Sequence, residues 1–168
     1  MRIKKINYPP SLSKYQRSWS QDGRPQKESA DFDKANPMVL LLHVKLRGFR
    51  CYADVLVREN FTFEQLHQFL NALFERDDDH LYRFECDDGC ICVSTQEELE
   101  DKGNALLTRN CYIGHHLTKG SQGYYLFDYG DEWEHDITVK EVMPADSETQ
   151  YPKIVKLYGR IPEQYPEY

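Results

Sequence analysis

The residues best suited to chemistry in this 168-residue chain fall into two groups. The first is a set of thiols. Cys86, Cys90 and Cys92 lie close together, and Cys111, His115 and His116 follow. A three-residue turn at Asp87-Asp88-Gly89 would set Cys86 opposite Cys90. A strand's period of two then puts Cys92 on the same face. Four thiolate or imidazole ligands at about 2.0–2.3 Å make a tetrahedral zinc site, so Cys86, Cys90, Cys92 and Cys111 are candidate ligands, with His115 or His116 as substitutes. The spacing Cys-x3-Cys-x-Cys matches no standard finger. Tyr82 and Phe84 share that face. Thiols filling a core are therefore the preferred reading.

The second group is the run Phe127-Asp128-Tyr129-Gly130-Asp131-Glu132-Trp133-Glu134-His135-Asp136. Its five acids and one imidazole could bind a divalent cation or share a proton. A tight hairpin accounts for the same residues and is preferred: Gly130 turns, Asp131 bonds backbone amides, Trp133 packs, and the other acids face water. If the ribbon holds a ligand, its contacts are Asp128, Asp131, Trp133, His135, Tyr125 and Tyr129, with Tyr124 beside them. No glycine-rich phosphate loop, nucleophile elbow or His-Glu-x-x-His helix is present in the sequence.

The elements that must position these groups are legible. Met38–Leu46 is rich in Leu and Val and reads as a buried strand. Arg47-Gly48-Phe49-Arg50 turns it into Cys51–Val57, where Cys51, Ala53, Val55 and Val57 share a face. Thr62 and Gln65 form a capping box, and Phe61 and Leu66 are placed as a hydrophobic staple. Leu66, Phe69, Leu70, Leu73 and Phe74 follow at helical spacing, which predicts a helix over Phe63–Glu75 that stops before the acids Asp77-Asp78-Asp79.

Leu81–Cys86 and Cys90–Ser94 read as a second hairpin, and Thr95 with Glu98 caps a short acidic helix or turn. Lys102–Leu117 shows no clear period. Tyr124–Tyr129 and Trp133–Met143 make a third hairpin, and Tyr151–Tyr158 a last strand. The expected fold is α+β: a mixed sheet with one main helix packed on it, a β-grasp-like β-β-α-β-β core and an additional C-terminal hairpin.

Length suits one domain of this size, which buries roughly 70% of its unfolded surface. Residues 1–35 read as a flexible arm punctuated by Pro9-Pro10, Gly23 and Pro25, with Trp19 set to dock on the domain at residues 36–168. The formal net charge of −7 divides into +4 for residues 1–35 and −11 for the rest. An acidic body repels phosphates, so nucleic acid is expected only at residues 1–35. No apolar run reaches the ~18 residues of a membrane helix, and Met1-Arg2-Ile3-Lys4-Lys5 opens no signal segment. A cytoplasmic protein without a membrane partner is expected, and the five Cys argue against a paired disulfide framework.

The run from Tyr124 to Ile137 resembles the aromatic-Asp-aromatic-Gly-Asp-x-Trp-x-His signature of the plasmid pRiA4b Orf3-like family. Phe61–His67 is similar to that family's capped helix with a Leu-His pair. His80–Phe84 is similar to its His-Leu-x-x-Phe strand, and Tyr151-Pro152 with Gly159–Glu163 to its closing segment. Cys51-Tyr52-Ala53-Asp54 stands where the family has an aromatic-Arg-Arg run, and Ile161–Gln164 where it has Pro-Pro-Glu-Asp. The resemblance spans Met38 to the C-terminus. It implies a mixed α+β fold and names no reaction; some members sit on plasmids or beside mobile elements. A non-catalytic module binding a protein or small molecule, with no cofactor, is the leading expectation. The alternatives are a metal-dependent hydrolase on the Asp128–Asp136 acids, with zinc or another divalent cation, and a mobile-element accessory that touches nucleic acid through its arm.

Overall fold

The computed structural model describes residues 36–166. The expected arm and Trp19 lie outside them. The first strand, β1 (Met38–Leu46), pairs antiparallel with β2 (Tyr52–Arg58), and Val44 faces Ala53 across the register. Cys51, Ala53, Val55 and Val57 are fully buried, as their alternation requires.

Helix α1 (Phe63–Leu73) follows. Its capping box is complete: Thr62 Oγ1 accepts from Gln65 N at 3.1 Å, and Gln65 Oε1 accepts from Thr62 N at 2.9 Å. The whole predicted stripe from Leu66 to Phe74 is buried, and so are the staple partners. The helix ends two residues earlier than the apolar pattern suggests. Glu75 turns left-handed at φ 57°, and the aspartates follow outside the helix.

The second hairpin joins β3 (Tyr82–Cys86) and β4 (Ile91–Val93) through Gly89 at φ 90°. After it come α2 (Gln96–Lys102), β5 (Leu106–Leu107) and two 3-10 turns, Thr108–Asn110 and Ile113–His115. The third hairpin is β6 (Gln122–Phe127) with β7 (Trp133–Pro144), and β8 (Lys153–Tyr158) closes the chain against β2.

Among the described residues the strands form one eight-stranded sheet in the order β5-β4-β3-β6-β7-β1-β2-β8. It is antiparallel except where β4 meets β5. The fold is thus α+β with a mixed sheet. Along the chain the order β-β-α-β-β holds, but in the sheet the β6–β7 hairpin stands between the first two hairpins. Helix α1 covers the face where Phe63 meets Phe84, with ring centroids 5.0 Å apart, and His67 stacks on Tyr82 at 3.4 Å. One continuous core joins helix and sheet.

Candidate functional site

Register decides what the ribbon near residue 130 can do. Tyr125 faces His135 across β6 and β7, and both are at 0% exposure. Their neighbours Tyr124, Glu134 and Asp136 point to the other side of the sheet. The candidate contact residues are therefore divided between two faces.

On the core face, His135 Nδ1 donates to the Tyr125 carbonyl at 2.9 Å. A carbonyl only accepts, so Nδ1 carries the proton and Nε2 is left with a lone pair, which has no partner among the described residues. Burial, then the Arg76 charge, holds His135 well below its ordinary value of 6.5. Tyr125 Oη lies 2.6 Å from His67 Nδ1, and His67 Nε2 lies 2.8 Å from Asp78 Oδ1. Burial lowers the His67 value against the raising effect of Asp78, so the ring is neutral at pH 7. Nε2–H then donates to Asp78, and Tyr125 donates to Nδ1. Asn71 Oδ1 lies 3.2 Å from the same hydroxyl, and its Nδ2 has no partner among the described residues.

Arg76, just beyond α1, was not singled out by the sequence. It is 8% exposed and has no carboxylate partner among the described residues. Its guanidinium lies 5.0 Å from the rings of both Phe74 and Trp133, and 6.0 Å from Phe127. Burial pushes its pKa down to about 10, so it stays cationic at neutral pH. Aromatic faces hold a charge that would otherwise be stranded.

Asp128, not Asp131, organises the turn. It sits at φ 67°, is 4% exposed, and accepts from Gly130 N at 2.9 Å and Asp131 N at 3.2 Å. Its other oxygen is 3.3 Å from His80 Nε2. Asp131 is exposed. On the solvent face Arg47 binds Asp136 at 2.7 Å and Glu134 at 3.0 Å, and Tyr124 Oη donates to Glu134 at 2.7 Å. Arg47 accordingly holds the Asp136 carboxyl below its usual range. Tyr129 donates to Glu98, and Arg83 lies over its ring. The acids expected to serve a cation are thus tied to arginine, tyrosine or the backbone, Asp131 and Glu132 excepted.

Trp133 is half-buried, and its ring lies 5.8 Å from Phe49. Phe49 opens onto a surface groove of about 510 Å³ lined by Arg50, Arg160, Pro162, Glu163 and Pro166. The groove exists because two backbones touch. Tyr52 pairs with Tyr158, and a Cβ on Gly159 would stand 1.8 Å from the Arg50 carbonyl oxygen. Only glycine, here at φ 87°, allows this approach. Gln164 then fastens the closing segment to the loop after α1, accepting from Asp77 N at 2.7 Å and donating to Asp77 O at 3.2 Å. Neither Arg50 nor Arg160 has an ion-pair partner among the described residues. Sequence reasoning missed this groove, because nothing in the spacing shows that residues 50 and 160 meet.

The thiols divide as well. Cys90 Sγ is 3.5 Å from Cys92 Sγ and 3.7 Å from His116 Nε2, and the thiols of Cys92 and Cys111 interact. Cys86, across the hairpin from Cys90, is buried, and burial, then the neighbouring Cys90, pushes its thiol well above its ordinary range. Cys51 is buried elsewhere in the core.

The fold and these clusters define an α+β domain with one long helix on an antiparallel-dominated sheet and a Gly-Asp-x-Trp-x-His ribbon at its centre. Residues 38–164 match the model of the plasmid pRiA4b ORF-3-like protein family. The chain belongs to that family. It is 27% identical over 111 residues to the uncharacterized protein y4hQ of Sinorhizobium fredii, a match covering 66% of this chain and 56% of that protein's length. Its fold is similar to that of a protein of unknown function, MM3350, from Methanosarcina mazei Go1, with a TM-score of 0.64 and 23% identity over 72% of this chain and 70% of that one. No helix among the described residues is long and apolar enough to cross a membrane.

Proposed function

We propose that the chain is a non-catalytic binding module that holds an acidic peptide segment of a partner protein in the groove between the β1–β2 turn and the closing segment. The observation that carries this reading is the pair Arg50 and Arg160, two exposed arginines without an ion-pair partner among the described residues, lining one groove with Phe49, Pro162 and Pro166. They stand in a body whose formal charge is −11. A local cationic groove in an acidic surface selects a ligand by its charge pattern and orients it, while the rest of the surface repels misplaced anions. Guanidinium forks bind carboxylates bidentately, and proline and phenylalanine supply an apolar seat that costs little ordering on binding. Glu163, on the same rim, would reject an acid there and so fixes the direction of the bound segment.

The test is fluorescence anisotropy with a fluorescein-labelled peptide that carries Glu-Leu-Glu. Binding should weaken at least tenfold when the two Glu become Gln, weaken with added salt, and vanish in the Arg50→Glu/Arg160→Glu variant. Equal binding of the Gln peptide, or unchanged binding by the variant, would reject the groove as the binding site.

A further inference from the structure

We infer that Cys90, Cys92, Cys111 and His116 are the ligands of a structural zinc site that pins the β3–β4 hairpin to the segment 108–116. The inference rests on distances, on a supporting carboxylate and on the chain paths that bring the four together.

A tetrahedron with metal–sulfur bonds of ~2.3 Å and metal–nitrogen bonds of ~2.0 Å has S···S edges of about 3.8 Å and S···N edges of about 3.5 Å. Cys90 Sγ already stands 3.5 Å from Cys92 Sγ and 3.7 Å from His116 Nε2. The Cys111 thiol is the third sulfur of the cluster and interacts with that of Cys92. The imidazole is oriented as a ligand. Asp88 Oδ2 accepts from His116 Nδ1 at 2.8 Å, which leaves the Nε2 lone pair free toward Cys90 Sγ. A carboxylate on the remote nitrogen of a ligating histidine is the usual support of such sites. Asp88 Oδ1 also accepts from Cys90 N at 2.9 Å, so one aspartate holds two of the four ligand residues in place.

The two chain segments are fixed independently of any metal. Phe63 N donates to the Cys111 carbonyl at 3.0 Å, Ile113 N to the Phe61 carbonyl at 2.8 Å, and Gly114 N to the Glu59 carbonyl at 3.0 Å. These bonds clamp the segment against the start of α1. On the other side, Cys86 N donates to the Cys90 carbonyl at 2.9 Å and closes the hairpin. Packing alone does not require a polar imidazole, supported by a carboxylate, to face a pair of thiols. Among the described residues no three His, Cys, Asp or Glu side chains stand, as placed, where together they could hold a metal ion, so binding requires side-chain movement. A cation would draw Cys111 and His116 inward, and His116, just after the last 3-10 turn with its side chain 19% exposed, can make that movement. Three thiolates and one imidazole select zinc over hard cations such as magnesium or calcium. The ligand set differs from the one that spacing suggests, since His116 replaces Cys86.

The test uses the full chain, purified under reducing conditions, stripped of metal with a chelator and titrated with cobalt(II) and then zinc. Cobalt should bind with about one equivalent per chain, with intense visible bands of a tetrahedral ion and a thiolate-to-cobalt charge-transfer band that zinc abolishes. Cys90 and His116 are partly exposed, so Cys90→Ser and His116→Gln should fold while losing at least tenfold in cobalt affinity. Asp88→Asn should lose about tenfold or more through the imidazole it supports. Cys86→Ser and His115→Ala should bind as the parent does. A parent chain that gives no tetrahedral cobalt spectrum would overturn the inference, as would unchanged binding by both Cys90→Ser and His116→Gln.

Discussion

At the scale of single residues, the buried histidines make the sharpest statement. His67 and His135 are both held below 6.5 in the folded chain, mainly by burial. The unfolded chain, with values near 6.5, therefore binds more protons as pH falls. Stability contributed by the neutral rings is full above pH 6.5 and declines as pH drops below it toward the folded values. Each ring contributes up to about 1.4 kcal/mol per pH unit in that window. Urea unfolding at pH 7.5 and pH 5.5 should show the parent losing roughly 1 kcal/mol more than His135→Gln does. Equal losses would mean that His135 is not neutral in the fold. Arg76 gives the opposite kind of prediction. Desolvation of a guanidinium without a carboxylate costs several kcal/mol, and aromatic contacts return about 2. Arg76→Met should leave stability unchanged or raise it by about 1 kcal/mol. A loss larger than that in chemical unfolding would show that the charge has an anionic partner.

At the scale of elements, legibility followed the locality of the signal. The capping box at Thr62 and the apolar stripe of α1 are written within a dozen residues, and both stand as read. The three hairpins announced themselves through alternation and turn residues. What no local pattern carries is the partner of each hairpin. The β6–β7 hairpin inserts between the other two, and that choice rests on contacts far apart in sequence. The same limit explains the site. Tyr125 and His135 share the ribbon with Tyr124 and Glu134, and alternation tells which go together but not which face is core. Asp128 rather than Asp131 caps the turn because a left-handed residue at φ 67° turns its own carboxylate over the following amides. Arg76 hid in a charged loop, where nothing marks a cation for burial. The Gly159–Arg50 contact is the element-scale hinge of the groove. Gly159→Ala should lower stability by at least 2 kcal/mol, because both the positive φ and the 1.8 Å approach forbid a methyl group. Thermal unfolding reads this directly, and a shift within error would mean that β8 can slide without loss.

At the scale of the whole molecule, the two faces of the sheet divide the work. The helix-covered face is a closed core in which the Gly-Asp-x-Trp-x-His ribbon serves as a structural spine, with the Tyr125–His67–Asp78 chain tying it to α1. The acids on the opposite face neutralise Arg47. Unpaired cationic charge remains at the groove beside Phe49, and that is where the proposed binding is placed. The most direct measurement is a nitrogen-15 heteronuclear NMR titration of the full chain with the capped tripeptide acetyl-Glu-Leu-Glu-amide. Amide signals of Phe49, Arg50, Gly159 and Arg160 should move in a saturable way, while those of Tyr124, Glu134 and Asp136 stay in place. Movement confined to the latter three, or none at all, would contradict the account.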